Sequence, residues 1–152
     1  MDKAKLIGEL RRDEGEVLRV YADHLGWLTV GVGHLVDARK GANPAPFGVP
    51  LKLGDPITQA QSEILLQQDI ASKEAELDKA LPWWRKLTDA RQRVLLNMAF
   101  NLGTEGLLGF TNTLRMVQAG SYLPASRAML VSKWAGQVGD RAKRLSAMMA
   151  AG

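Results

Sequence analysis

The sequence predicts an α+β fold in which a small N-terminal β-hairpin lobe and a larger helical C-terminal lobe are joined by one long helix. Three observations predict it. Between Val17 and His34, β-forming residues flank the turn residues "ADHLG". An amphipathic run of about 23 residues opens on a capping signal at Thr58 and stops at Leu81-Pro82, long enough at 1.5 Å per residue to span about 34 Å. Beyond Pro82 every segment has helical periodicity.

In chain order, Leu6, Ile7 and Leu10 recur at helical spacing and Gly15 supplies a stop, which predicts a first helix ending near Glu14. Val17, Leu18, Val20 and Tyr21 then form one strand, and "WLTVGVG" returns as the second. Gly26, Gly31 and Gly33 weaken such strands, and a strand glycine often marks the close approach of a backbone or ligand. Residues 36–57 are rich in proline and glycine and read as irregular. Thr58-x-x-Gln61 forms a capping box ahead of a helix whose apolar side is read as Ile64, Leu65, Ile70, Ala71 and Leu77. The helix ends before Pro82, which pushes its predecessor out of helical geometry. Next, "DARQRVLLNMAFNLG" stops at Gly103 and "FTNTLRMVQAG" at Gly120, "YLPASRAMLVSKW" follows, and Asp140 is placed to N-cap "RAKRLSAMMAA". Leu95, Leu96, Met98, Ala99 and Leu102 make their helix apolar nearly all round, as the central helix of the C-terminal lobe would be. Trp83-Trp84 and Trp134 read as packing anchors, with sugar stacking the alternative for the first pair. The reading is a single domain, 1–152, with an N-terminal lobe at about 13–60, a linking helix at about 58–81 and a helical lobe at about 82–152 packed with helix 1–12. A cleft between lobes is the natural ligand site.

Composition narrows the function classes. With 152 residues the chain can bury a core of its own, and with no cysteine it has neither disulfides nor a thiolate metal site. No secretory signal and no membrane-spanning run is present, so a soluble, cytoplasmic product is expected. A formal charge of +4 and a pI of about 9.6 favour polyanionic partners: nucleic acid, anionic membrane or an acidic wall polymer.

The chemistry concentrates between Arg11 and His34. Glu14 at a helix end and Asp23 in the hairpin turn can be brought to the same side, with Thr29 beside them. Two carboxyls in unlike surroundings are what glycosidic cleavage needs, one donating a proton and the other ionised. The same residues also fit a blander account, in which Asp23 bonds its own turn and Glu14 is a solvated charge.

The stretch "RRDEGEVLRVYADHLGWLTVGVGHL", with its spacing E-G-x(7)-D-x(5)-T-x-G-x-G-H, resembles the N-terminal signature of phage-type lysozymes, glycoside hydrolase family 24. "LLNMAFNLGTEGLLGFTNTLRM" and "SKWAGQVGDRAKR" resemble the family's second and third blocks, in the same order, so the likeness covers nearly the whole chain. It implies a lysozyme-like fold with Glu14 as general acid, Asp23 as the carboxylate supporting the attacking water, and Thr29 helping to hold that water. It implies substrate contacts at Leu35, Phe100, Asn101 and Thr113, and supporting roles for a His34–Asp69 ion pair and for Arg141 facing the catalytic Glu, unless Arg141 joins Lys143 and Arg144 in a solvated basic face. Asn101 and Thr113 replace a glutamine and a serine common in the family, and Ala128 stands where an asparagine is expected. The implied activity is a muramidase of bacterial peptidoglycan that needs no cofactor and no metal. It would be a monomer without nucleic-acid or membrane partners, held in the host cytoplasm until a holin opens the membrane, then releasing phage by lysis. Rival readings are a nucleic-acid binder, an inert wall-binding module, and a lytic transglycosylase, which would use one acid without a water-holding Asp and Thr.

Overall fold

A computed structural model describes residues 1–152. Helix α1 (Lys3–Glu14) buries Leu6 and Leu10, one turn apart, and carries Arg11 and Arg12 in its last turn, where positive charge complements the helix dipole. Gly15 ends it with a φ of 74°, its N–H donating to the Arg11 carbonyl at 2.9 Å.

Strands β1 (Val17–Ala22), β2 (Leu28–Gly31) and β3 (His34–Leu35) form an antiparallel sheet in that order. The expected hairpin thus gains a third strand, because "TVGVGHL" doubles back at Val32-Gly33 instead of running straight through. Residues 36–57 lack regular strands but dress the outer edge of β1: Val20 donates to the Asp55 carbonyl and Ile57 to that of Leu18, both at 2.9 Å, and Arg19 pairs with Pro56. Val20, Val30, Val36, Ile57 and Leu65 are the core here.

Helix α2 (Gln59–Ala80) starts on the predicted reciprocal box: Gln61 N–H donates to Thr58 Oγ1 at 3.0 Å, and Thr58 N–H donates to Gln61 Oε1 at 2.9 Å. Its buried stripe is Ser62, Leu65, Leu66, Ile70, Glu74 and Leu77. Ile64 and Ala71, assigned to that stripe from the sequence, are exposed. Each lies about 100° from a buried neighbour, and Leu66 and Ile70 take the inward turns.

The chain divides into two compact units, one of Ile7–Ala71 and the other of Met1–Leu6 with Ser72–Gly152, so the boundaries fall inside α1 and α2. The second unit contains α3 (Asp89–Leu108), α4 (Thr111–Gln118), α5 (Tyr122–Leu130), α6 (Lys133–Val138) and α7 (Asp140–Ala151). Every residue from Arg91 to Ala99 is buried, as expected of a central helix. At Gly103 (φ 74°, ψ 161°) α3 breaks, so the predicted stop is real, but a further turn follows it. The segment "YLPASRAMLVSKW" is two helices rather than one, divided at Val131-Ser132, where the Ser132 hydroxyl caps α6. Asp140 is not the cap of α7. That place falls to Gly139 at φ 58°, and Asp140 is the first helical residue, its charge favourable beside the positive helix end.

Trp84 is fully buried, its Nε1–H donating to Asp78 at 2.7 Å, which makes it a packing anchor. Trp134 is buried as expected and packs edge-on against Phe110 at 5.9 Å, while its apolar sequence neighbours Leu130 and Val131 are exposed.

Candidate active site

The sheet sorts its side chains into two faces by strand alternation, and cross-strand partners share a face. His34 pairs with Val30, and Val30 lies in the core cluster with Val20. On this face the His34 ring nitrogen Nδ1 meets Asp69 Oδ2 of α2 at 2.8 Å, both side chains partly exposed. The opposite face is laid out by two further pairs, Tyr21 with Thr29 and Thr29 with Leu35. Tyr21, Thr29 and Leu35 therefore form a row across all three strands.

The two carboxyl groups border this sheet at its turns. Glu14, the last residue of α1, lies over the β2–β3 turn: a β-carbon on Gly33 would stand 3.5 Å from its Oε2. With φ at 67° and no side chain, Gly33 gives the carboxyl its place. Asp23 follows β1, and its Oδ1 accepts from the N–H groups of Leu25 and Trp27, both at 2.9 Å. The blander account of Asp23 is thus fulfilled through one oxygen, and Oδ2 stands outside those two bonds. Burial, then the negative charges of Glu14 and Asp23, push the Tyr21 phenol above its ordinary pKa. Thr29 is buried, and its hydroxyl donates to the Trp27 carbonyl at 3.0 Å, leaving the oxygen's lone pairs for a further donor.

Asp37 fixes the strand carrying Thr29. Its buried carboxylate accepts from Leu28 N–H at 3.0 Å and from Arg39 through backbone and guanidinium. These bonds, the Arg39 side chain first, hold it well below the usual carboxylate range. Arg39 and Lys40 stand over the Trp27 ring at 4.8 and 5.1 Å, so a cationic patch borders the Asp23 turn.

In the helical unit, Asn101 lies on α3 just before the break and its Oδ1 accepts from Trp134 Nε1 at 2.7 Å. Phe100 beside it is partly exposed, and Thr113 on α4 is buried. Ala128 on α5 is partly exposed. Arg141 on α7 is also buried, its Nε donating to Asn97 Oδ1 at 2.9 Å, so it is no part of a solvated basic face; Lys143, two residues on, is exposed.

Of the predicted residues, Thr29 and Leu35 share one face of the sheet with Tyr21, Glu14 lies over its β2–β3 turn, Asp23 follows β1, and the His34–Asp69 pair lies on the reverse of the same sheet. The sequence marks Tyr21 only as a strand former, and its place across from Thr29 follows from the cross-strand register, which local spacing does not reveal.

Comparison with known proteins bears on this arrangement. The family model described as phage lysozyme matches residues 11–149. The chain is similar to the probable T4-type lysozyme 1 of Dictyostelium discoideum, 30% identical over 94% of this chain and 92% of that one. It is similar to the endolysin of Salmonella phage P22, 32% identical over 88% of this chain and 84% of that one. It is also similar to the pre-baseplate central spike protein Gp5 of Enterobacteria phage T4, 32% identical over 94% of this chain, which spans 27% of that longer protein.

Proposed function

Since this chain belongs to the phage lysozyme family, we propose that Glu14 is the general acid of its glycoside hydrolase activity, with Asp23 and Thr29 serving the attacking water. The protein is a lysozyme, an enzyme that degrades peptidoglycan. The bond cut is the β-1,4 link between N-acetylmuramic acid and N-acetylglucosamine. Glu14 gives its proton to the leaving glycosidic oxygen as the C1–O bond breaks. Water adds to C1 from the opposite sugar face, its proton drawn to Asp23 while the Thr29 hydroxyl helps to hold it, and the anomeric configuration inverts. Inversion requires carboxyl groups about 6.5–9.5 Å apart, with space for that water.

The observation that carries this reading is that one small sheet seats Glu14 over Gly33 of its β2–β3 turn and carries Asp23 just past β1, whose Tyr21 pairs across with Thr29. Leu35, Phe100, Asn101 and Thr113 supply saccharide contacts, and His34, Asp69 and Arg141 support the machinery. The enzyme acts as a monomer, waits in the host cytoplasm, reaches the wall once a holin has opened the membrane, and releases phage.

Turbidity clearing of permeabilised Gram-negative cells by wild type beside Glu14→Gln tests the reading. The substitution keeps the shape and removes the transferable proton, so a loss of about 10²–10⁴-fold is expected. A folded Glu14→Gln protein that clears at the wild-type rate overturns it. Mass spectrometry of the fragments supplies the second check, since reducing-end muropeptides mean hydrolysis and anhydro sugars mean transglycosylation.

A further inference from the structure

We propose that Glu16 is a positioning residue for Glu14: held by Arg11, Gln59 and Ser62, its carboxylate clamps the turn that carries the acid and ties it to the strand that carries Thr29. This rests on Glu14 being the general acid. One residue, Gly15, separates the two glutamates. It has a φ of 74° and, its chain neighbours aside, no atom within 4 Å of where a β-carbon would stand, so nothing packs against that side of the turn. Hydrogen bonds hold the residue that follows it. Glu16 Oε2 accepts from Ser62 Oγ at 2.9 Å and from Arg11 Nε at 3.4 Å, and Oε1 accepts from Gln59 Nε2 at 3.0 Å. Arg11, one turn before Glu14, pairs also with Glu63 of α2. The acid is therefore bracketed, three residues before and two after, by side chains fastened to the first turns of α2.

Ser62 extends the clamp to the sheet. It is fully buried, and a β-carbon on Gly31, the last residue of β2, would come within 3.0 Å of its hydroxyl. One hydroxyl thus bonds the Glu16 carboxylate and occupies the space beside Gly31, two residues beyond Thr29. Burial would push the Glu16 carboxyl up, but the bonds from Gln59 and Ser62 and the Arg11 charge outweigh it and keep the group below its ordinary range. An ionised, acceptor-only carboxylate is what three converging donors require. Misplacing a reacting group by about 1 Å can cost about 10²-fold in rate, so a clamp acting on position alone belongs in kcat.

The test compares wild type, Glu16→Ala, Ser62→Ala, the double variant and Glu14→Gln as full-length proteins on solubilised peptidoglycan, at a temperature where each is fully folded by circular dichroism. Glu16→Ala is expected to lower kcat about 10- to 100-fold with KM little changed. The double variant should lose little more than Glu16→Ala, because both changes open one clamp. Unchanged kcat in folded Glu16→Ala overturns the proposal, as does a loss that appears only as the protein begins to unfold. Should Glu16→Ala not fold, Ser62→Ala and Gln59→Ala each remove a single bond, and unchanged kcat in both overturns it equally. Glu14→Gln separates the two ideas: if it stays active, the acid assignment fails, and if it is inactive while Glu16→Ala is unimpaired, only the clamp fails.

Discussion

Gly31 and Gly33 offer a matched pair of substitutions that isolates one contact. Both sit at φ 67°, where an L side chain is strained, so an alanine at either position carries a backbone penalty of about 1–2 kcal/mol. Their surroundings differ. At Gly33 the new methyl would rest 3.5 Å from Glu14 Oε2, ordinary contact, whereas at Gly31 it would lie 3.0 Å from Ser62 Oγ. Ser62 is fully buried, and giving way by a few tenths of an ångström strains its 2.9 Å bond to Glu16. A hydrogen bond to a charged group is worth about 1.5–3 kcal/mol, so Gly31→Ala should destabilise by up to that much more than Gly33→Ala. For a chain of this length that ceiling corresponds to about 3–12 °C in Tm. Thermal unfolding followed by circular dichroism, both variants in one buffer, measures it. In a Ser62→Ala background the excess should vanish, because the hydroxyl that the methyl meets is gone. Equal melting temperatures for Gly31→Ala and Gly33→Ala, or an excess that survives Ser62→Ala, would refute the reasoning.

Three other outcomes are expected. His34→Asn should lower stability by about 1–3 kcal/mol, as loss of a partly buried hydrogen bond does, yet keep activity; a folded and inactive variant in the turbidity assay would contradict this. The Arg85 side chain, then Trp84, holds Asp78 below the usual carboxylate range, so its bonds stabilise the fold above the unfolded carboxyl pKa and are lost as pH falls through the folded one. Melting curves of Asp78→Asn should thus lie below wild type near neutrality and converge with it on acidification, and a constant gap across pH would count against the assignment. Arg91 donates to the carbonyls of Met149 at 2.8 Å and Ala150 at 3.2 Å, so Arg91→Ala should cost about 1.5–3 kcal/mol in urea unfolding, and a neutral result would show those helix-end carbonyls satisfied without it.

Much of this was legible in the sequence because its causes are local. Gly15 stops α1, Thr58 and Gln61 cap α2, and Leu81-Pro82 closes it, each through groups a few residues apart. The spacing from Glu14 to His34 likewise fixes which residues share one short sheet. What escaped depends on distant partners or on fine choices between neighbours. Glu16 meets Gln59 and Ser62 across more than forty positions, a relation that no periodicity announces. Gly139 displaces Asp140 as the cap of α7 by one residue, and Ile64 points outward while Leu65 points inward, distinctions finer than an apolar pattern resolves. The third strand needed the reversal at Val32-Gly33, which reads equally well as a continuing strand until its dihedrals are known.

The break in α3 has a bearing on which sequences this chain can drift toward. At Gly103 the surroundings are empty within 4 Å of a β-carbon, so space would admit almost any side chain, but φ 74° with ψ 161° is a conformation open in practice only to glycine. In a saturation library, position 103 should accept one amino acid while neighbouring Glu105, exposed, accepts many. Selection there would act on dihedral angles and be blind to volume.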